Sequence, residues 1–128
     1  MQLEKTTHDA VKILRYLHAN PGKQKTKDIA DALGISTQLV TRLMARLKRD
    51  KLVLFAIGRD GGYTLGRPAE EISFYDMLVA AEGELSISHC FKEGICQEDG
   101  HCKAHDYLMQ MQTDWADDMM GVNLADLG

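Results

Sequence analysis

The chain has 128 residues, 45% hydrophobic and 27% charged, with a formal net charge of −4. That size suits one compact unit, or one small domain with an appended dimerisation arm, and the apolar share suffices for a core. No stretch approaches the roughly 18–20 apolar residues that span a bilayer. The opening Met1-Gln2-Leu3-Glu4-Lys5 lacks the apolar run of a secretory leader, so the expectation is a soluble cytoplasmic protein with no membrane partner.

Thr7 to Ala19 reads as a helix, because Ala10, Ile13, Leu14 and Leu17 recur at three- and four-residue spacing. Asn20-Pro21-Gly22 stops it, and Lys23-Gln24-Lys25 is a polar connector. Thr26 to Leu33 is a second, short helix, with Thr26 the expected cap and Ile29, Ala30 and Leu33 on one side. Gly34 supplies the left-handed stop. Ser36 then offers a hydroxyl cap for a third helix reaching about Asp50. Its inner face is Leu39, Val40, Leu43, Met44 and Leu47. Its outer face shows Thr37, Gln38, Thr41, Arg42, Arg46 and Arg49.

A short helix, a tight glycine turn and a second helix with a polar, basic outer face make a helix-turn-helix. The major groove of a duplex admits one α-helix, so the reading residues belong near its exposed start. Ser36, Thr37, Gln38, Thr41 and Arg42 stand there. The bland alternative is a helical hairpin with a solvated basic face. The next segment of the chain favours DNA. Leu52 to Ala56 is strand-like, Gly58-Arg59-Asp60-Gly61-Gly62 is a turn, and Tyr63-Thr64-Leu65 returns as a second strand. A hairpin directly after the second helix is the wing of a winged helix, with Arg59 at its tip as a minor-groove or phosphate contact.

Arg67-Pro68 closes this unit. Ser73 caps a further helix whose Phe74, Met77, Leu78 and Ala81 face inward, and Gly83 ends it. From about Cys102 to Met120 a long amphipathic helix carries Leu108, Met111, Trp115 and Met119 as a stripe, a pattern that packs against a twin or against its own core. Val122 to Leu127 starts one more short turn or frays. The fold class expected is mainly α with a small β-hairpin wing: a winged helix-turn-helix over 1–68, and a cysteine loop plus long dimerisation helix over 69–128.

Charge divides at the same place. Residues 1–68 carry 13 Lys or Arg against 6 Asp or Glu, whereas residues 69–128 carry 2 against 13. The front half can approach a polyanion; the back half is repelled by one.

Cys90, Cys96 and Cys102 are evenly spaced, with five residues between neighbours, and His105 stands three residues after the last. An odd, clustered set in a reducing compartment points to metal, cluster or thiol chemistry rather than to disulfides. Gly94 and Gly100 let the loop wrap a centre. Thiolates suit iron–sulfur clusters or zinc, with His105 as a fourth ligand. The spacing leaves a cluster, zinc and a thiol switch all open. His89 and His101 read as loop residues. A thiol enzyme is the remaining class, and it lacks both a Cys-x-x-Cys motif and an evident nucleophile–base pair, so no catalytic activity is expected.

Taken together these residues resemble the Rrf-two family of winged-helix transcription regulators. The likeness spans nearly the whole chain: Met1-Gln2-Leu3, Ile29-Ala30, Ile35-Ser36, Leu52-Val53, Gly61-Gly62-Tyr63-Thr64-Leu65, Arg67-Pro68-Ala69-Glu70-Glu71-Ile72, Ala81-Glu82-Gly83, the three cysteines and Leu124-Ala125-Asp126-Leu127. The resemblance implies a homodimer crossed through the long C-terminal helix, bound to a roughly palindromic double-stranded operator. It implies a 2Fe–2S or 4Fe–4S cluster on Cys90, Cys96 and Cys102, whose loss, redox change or nitrosylation alters DNA affinity. In the IscR-like branch a histidine just after the third cysteine is the fourth ligand, the position of His105. In the NsrR-like branch an acidic residue near the start of the partner's first helix serves, and that neighbourhood reads His8-Asp9 here, making His8 or Asp9 of the partner subunit the alternative. Two departures stand out. Ile57-Gly58 occupies the place of the family's wing Arg-Gly, with Arg59 two residues later, and the face Thr37-Gln38-Thr41-Arg42 differs from the IscR-like one, so the operator is not carried over. The alternative function is a winged-helix repressor with structural zinc or no metal, controlled by a metabolite or partner protein.

Overall fold

The structure, a computed structural model, describes residues 3–87 and 102–128. Among these the order is α1 (Lys5–Ala19), α2 (Thr26–Leu33), α3 (Thr37–Arg49), β1 (Val53–Ala56), β2 (Gly62–Leu65), a 3-10 turn (Ala69–Glu71), α4 (Phe74–Glu82), α5 (Lys103–Met120) and α6 (Leu124–Leu127). This is the mostly helical winged helix expected, with the final short turn formed and the 3-10 turn unanticipated.

Helix boundaries follow from local chemistry. Ser36 Oγ accepts from the Leu39 amide and starts α3. Ser73 and Asp76 form a reciprocal capping box at the start of α4, and Asn123 and Asp126 do the same for α6. Gly34 closes α2 at φ 66°, a left-handed conformation that suits glycine. Thr26 corrects an expectation: it is the first residue of α2, and Lys25, without a side-chain cap bond, precedes it. The reason lies in the wing. Gln24 and Tyr63 exchange two backbone hydrogen bonds of 2.9 and 2.8 Å, which hold the connector extended up to the helix start.

The hairpin pairs antiparallel, Val53 opposite Leu65 through Ala56 opposite Gly62. One apolar cluster joins Ala10, Ile13, Leu14 and Leu17 of α1 to Ile29, Val40, Leu43, Met44, Leu47, Leu52 and Val53. It continues without a break through Ala69, Ile72, Met77, Ala80, Ala81 and Leu124, so residues on both sides of Pro68 share it. Each fully buried Leu, Ile, Val or Met of the cluster stabilises the fold by about 1.5–3 kcal/mol relative to exposure. Arg67 holds the junction: its guanidinium donates to the Asp50 and Glu71 carbonyls at 3.4 and 3.3 Å and lies 3.5 Å from Asp76.

α5 differs from the rest. It rests along α4, yet none of its 18 residues is buried, and Tyr107, Met109, Trp115 and Met120 are exposed. Its end is stitched back to the start of α4, where Phe74 N–H donates to the Val122 carbonyl and Leu124 N–H to that of Ile72. Among the described residues no helix is long and apolar enough to cross a membrane.

Candidate nucleic-acid interface and cysteine site

The candidate reading face is built by burying the opposite side of α3. Val40, Leu43, Met44 and Leu47 enter the core, which turns Thr37, Gln38, Thr41 and Arg42 to solvent beside the capping Ser36. The Ser36 oxygen is engaged as an acceptor, so its hydroxyl proton stays available to donate. Thr41 Oγ1 donates back to the Thr37 carbonyl at 2.9 Å, leaving its methyl and a lone pair outward. Gln38 and Arg42 carry the long donor groups suited to base edges or phosphate.

Arg46, expected on the same outer face, is directed elsewhere. Its Nη1 donates to the Ala81 carbonyl in the last turn of α4, 2.8 Å away and partly buried. Charge periodicity alone does not separate a groove-facing arginine from one that ties two helices.

The wing is braced from two sides. Phe55 and Tyr63 pack with ring centres 4.8 Å apart and planes tilted by 40°, and Lys48 of α3 lies 5.8 Å from the Phe55 ring centre. At the tip Arg59 is exposed, and its carbonyl accepts from Lys25 Nζ at 2.9 Å. Lys25 is the functional neighbour that sequence reasoning missed. The alternation Lys23, Lys25, Lys27 is the only signal for it, and it reads equally as a solvated connector. Ile57, beside the turn of the wing, is 91% exposed.

On the acidic half, Cys90 and Cys96 lie outside the described residues, as do His89 and His101. Cys102 is half-buried with a free thiol and is the N-cap residue of α5. His105 follows within the first turn and is also half-buried. A soft thiol and an imidazole thus sit at the end of an 18-residue helix whose amide dipoles favour negative charge, an environment that fits a thiolate-ligated centre. Among the described residues no three His, Cys, Asp or Glu side chains gather as a metal set. The alternative ligands differ in placement. His8 is exposed, while Asp9 is 2% exposed and paired with Lys5 of its own helix at 2.8 Å.

Residues 3–128 match the family model described as "Rrf2: Iron-dependent Transcriptional regulator". The chain belongs to the Rrf2 family. Its relatives include protein aau3 of Rhizobium meliloti, 37% identical over 95 residues, covering 73% of this chain and 62% of that protein's length. The transcriptional regulator IscR of Serratia proteamaculans is 28% identical over 111 residues, covering 87% of this chain and 68% of its own. Among solved structures, CymR, the global cysteine regulator of B. subtilis, superposes with a TM-score of 0.80 at 21% identity, covering 99% of this chain and 95% of that one. At that identity the likeness shows the shared fold. This Rrf2 protein is accordingly a DNA-binding transcription regulator rather than an enzyme.

Proposed function

We propose that this Rrf2 protein acts as a homodimer on a roughly palindromic operator, and that an iron–sulfur cluster on Cys90, Cys96, Cys102 and His105 sets its affinity. The carrying observation is the position of Cys102 and His105 within one turn at the start of α5. When bound, such a cluster supplies redox- and nitric-oxide-sensitive chemistry to that helix end. Residues 1–68 are the reading part and residues 69–128 the sensing and pairing part of one continuous core.

Dimerisation is supported by the uncovered side of α5. Tyr107 and Trp115 are exposed on one face of the helix, and Trp115 lines an open groove of about 650 Å³ together with Leu3, Phe74, Leu78, Leu85 and Ile87. A long helix with no buried residue is stabilised chiefly by what packs on it. His105 is the better-supported fourth ligand, because using Asp9 means breaking its pair with Lys5 and turning a buried carboxylate outward. His8 of the partner subunit, being exposed, is the second choice.

Anaerobic purification followed by visible absorbance and iron and sulfide analysis tests this reading. A brown protein with iron and sulfide in equal amounts, binding duplex DNA more tightly at low salt, is expected. A colourless protein with stoichiometric zinc supports the repressor with structural zinc instead.

A further inference from the structure

α3 meets the C-terminal half at a partly buried polar contact. Arg46 leaves α3 and donates to the Ala81 carbonyl at 2.8 Å. That carbonyl belongs to the last turn of α4, where helix carbonyls lack intrahelical partners. α4 has no basic residue of its own in its last turn, so Arg46 supplies from another helix the positive charge that its C-terminal dipole favours.

The same turn holds a further attachment. Glu82 Oε1 accepts from the Glu4 amide at 2.9 Å, which ties the start of α1 to it. Gly83 follows at φ 93° and ψ −171°, a conformation open to glycine and strained for other residues. Beyond it, the Ile87 amide donates to Gln112 Oε1 of α5 at 3.0 Å. The backbone from Gly83 to Ile87 therefore joins the last turn of α4 to Gln112 of α5, and Arg46 joins that turn to α3.

We infer that Arg46 is a positioning residue for DNA binding: it transmits the placement of α4 and α5 to α3, so that operator affinity follows the state of the C-terminal half. This rests on the sensing role proposed above. The competing role is a phosphate contact from the outer face of α3, and the two roles differ in salt dependence. A phosphate contact contributes about one unit to the slope of log affinity on log salt; a strut contributes none.

The test uses the full chain, with and without anaerobic reconstitution by ferrous iron and sulfide, on a labelled duplex selected by the wild-type protein from a random pool. The wild-type affinities of the two forms are expected to differ within the ordinary range of coupling, roughly 5- to 150-fold. Arg46→Met is expected to bring that ratio to about one with the salt slope unchanged, and Arg46→Lys to restore part of it. If Arg46→Met lowers the folded fraction, Arg46→Gln, which keeps a neutral donor, replaces it with the same expectation. A responsive wild type with an equally responsive Arg46→Met overturns the strut alone, as does a slope lowered by about one. A wild type equally tight in both forms overturns the sensing reading and the coupling with it.

Discussion

Lys25 Nζ donates to the Arg59 carbonyl across 2.9 Å, joining the residue that precedes α2 to the tip of the wing. Together with the Gln24–Tyr63 bridge, this makes the wing an extension of the helix-turn-helix frame rather than a free hairpin. Lys25→Met is expected to lower the free energy of local opening at Gly58–Gly61 by about 0.5–1.5 kcal/mol while leaving global stability nearly unchanged. Amide hydrogen exchange read against a urea melt checks it. Equal exchange in both proteins would remove the brace.

Gly62 leaves no room for a side chain. A Cβ built there would stand 2.8 Å from the Gln24 carbonyl oxygen and 2.9 Å from its nitrogen, both backbone atoms. Gly62→Ala is expected to part the Gln24–Tyr63 bridge and destabilise the fold by about 1–3 kcal/mol in urea denaturation. DNA affinity should fall further than stability alone explains, since the wing tip moves with the bridge.

Lys51, in the turn between α3 and β1, is the one non-glycine at positive φ among the described residues, at 62°. Left-handed backbone costs an ordinary residue roughly 1–2 kcal/mol, partly offset by the greater unfolded-state freedom of glycine. Lys51→Gly is expected to stabilise the protein by up to about 1 kcal/mol, and Lys51→Val to destabilise it. Thermal melts of both variants decide the sign.

Asp9 is buried with one carboxylate oxygen on Lys5; its Oδ1 and the neighbouring Thr7 Oγ1 have no hydrogen-bond partner among the described residues. Lys5→Met strands the carboxylate and is expected to cost about 1–3 kcal/mol in chemical denaturation. The double variant Lys5→Met with Asp9→Leu should recover most of that loss, because it removes the buried carboxylate itself, whose partner Lys5 is largely exposed. No recovery would mean that Asp9 has another partner in the assembled protein.

Much of the fold was legible along the chain. The spacing of Ala10, Ile13, Leu14 and Leu17 marks the buried stripe of α1, and Ser36 and Ser73 mark the starts of α3 and α4 where the caps form. The outward set Thr37, Gln38, Thr41 and Arg42 followed once the inner face of α3 was identified. These features depend on neighbours within one or two helical turns, which periodicity and capping chemistry report directly.

Other features are settled by partners far away in the chain. Arg42 and Arg46 look alike in a helical pattern, yet one faces solvent and the other meets a carbonyl 35 positions on. Asp9 looks like a surface acid and is instead enclosed, and Lys25 looks like connector filler and instead holds Arg59, 34 positions away. Local propensity does not encode such pairings. They exist because the shared apolar core brings α1, α3 and α4 together and leaves particular backbone groups to be matched by whichever polar side chain arrives beside them.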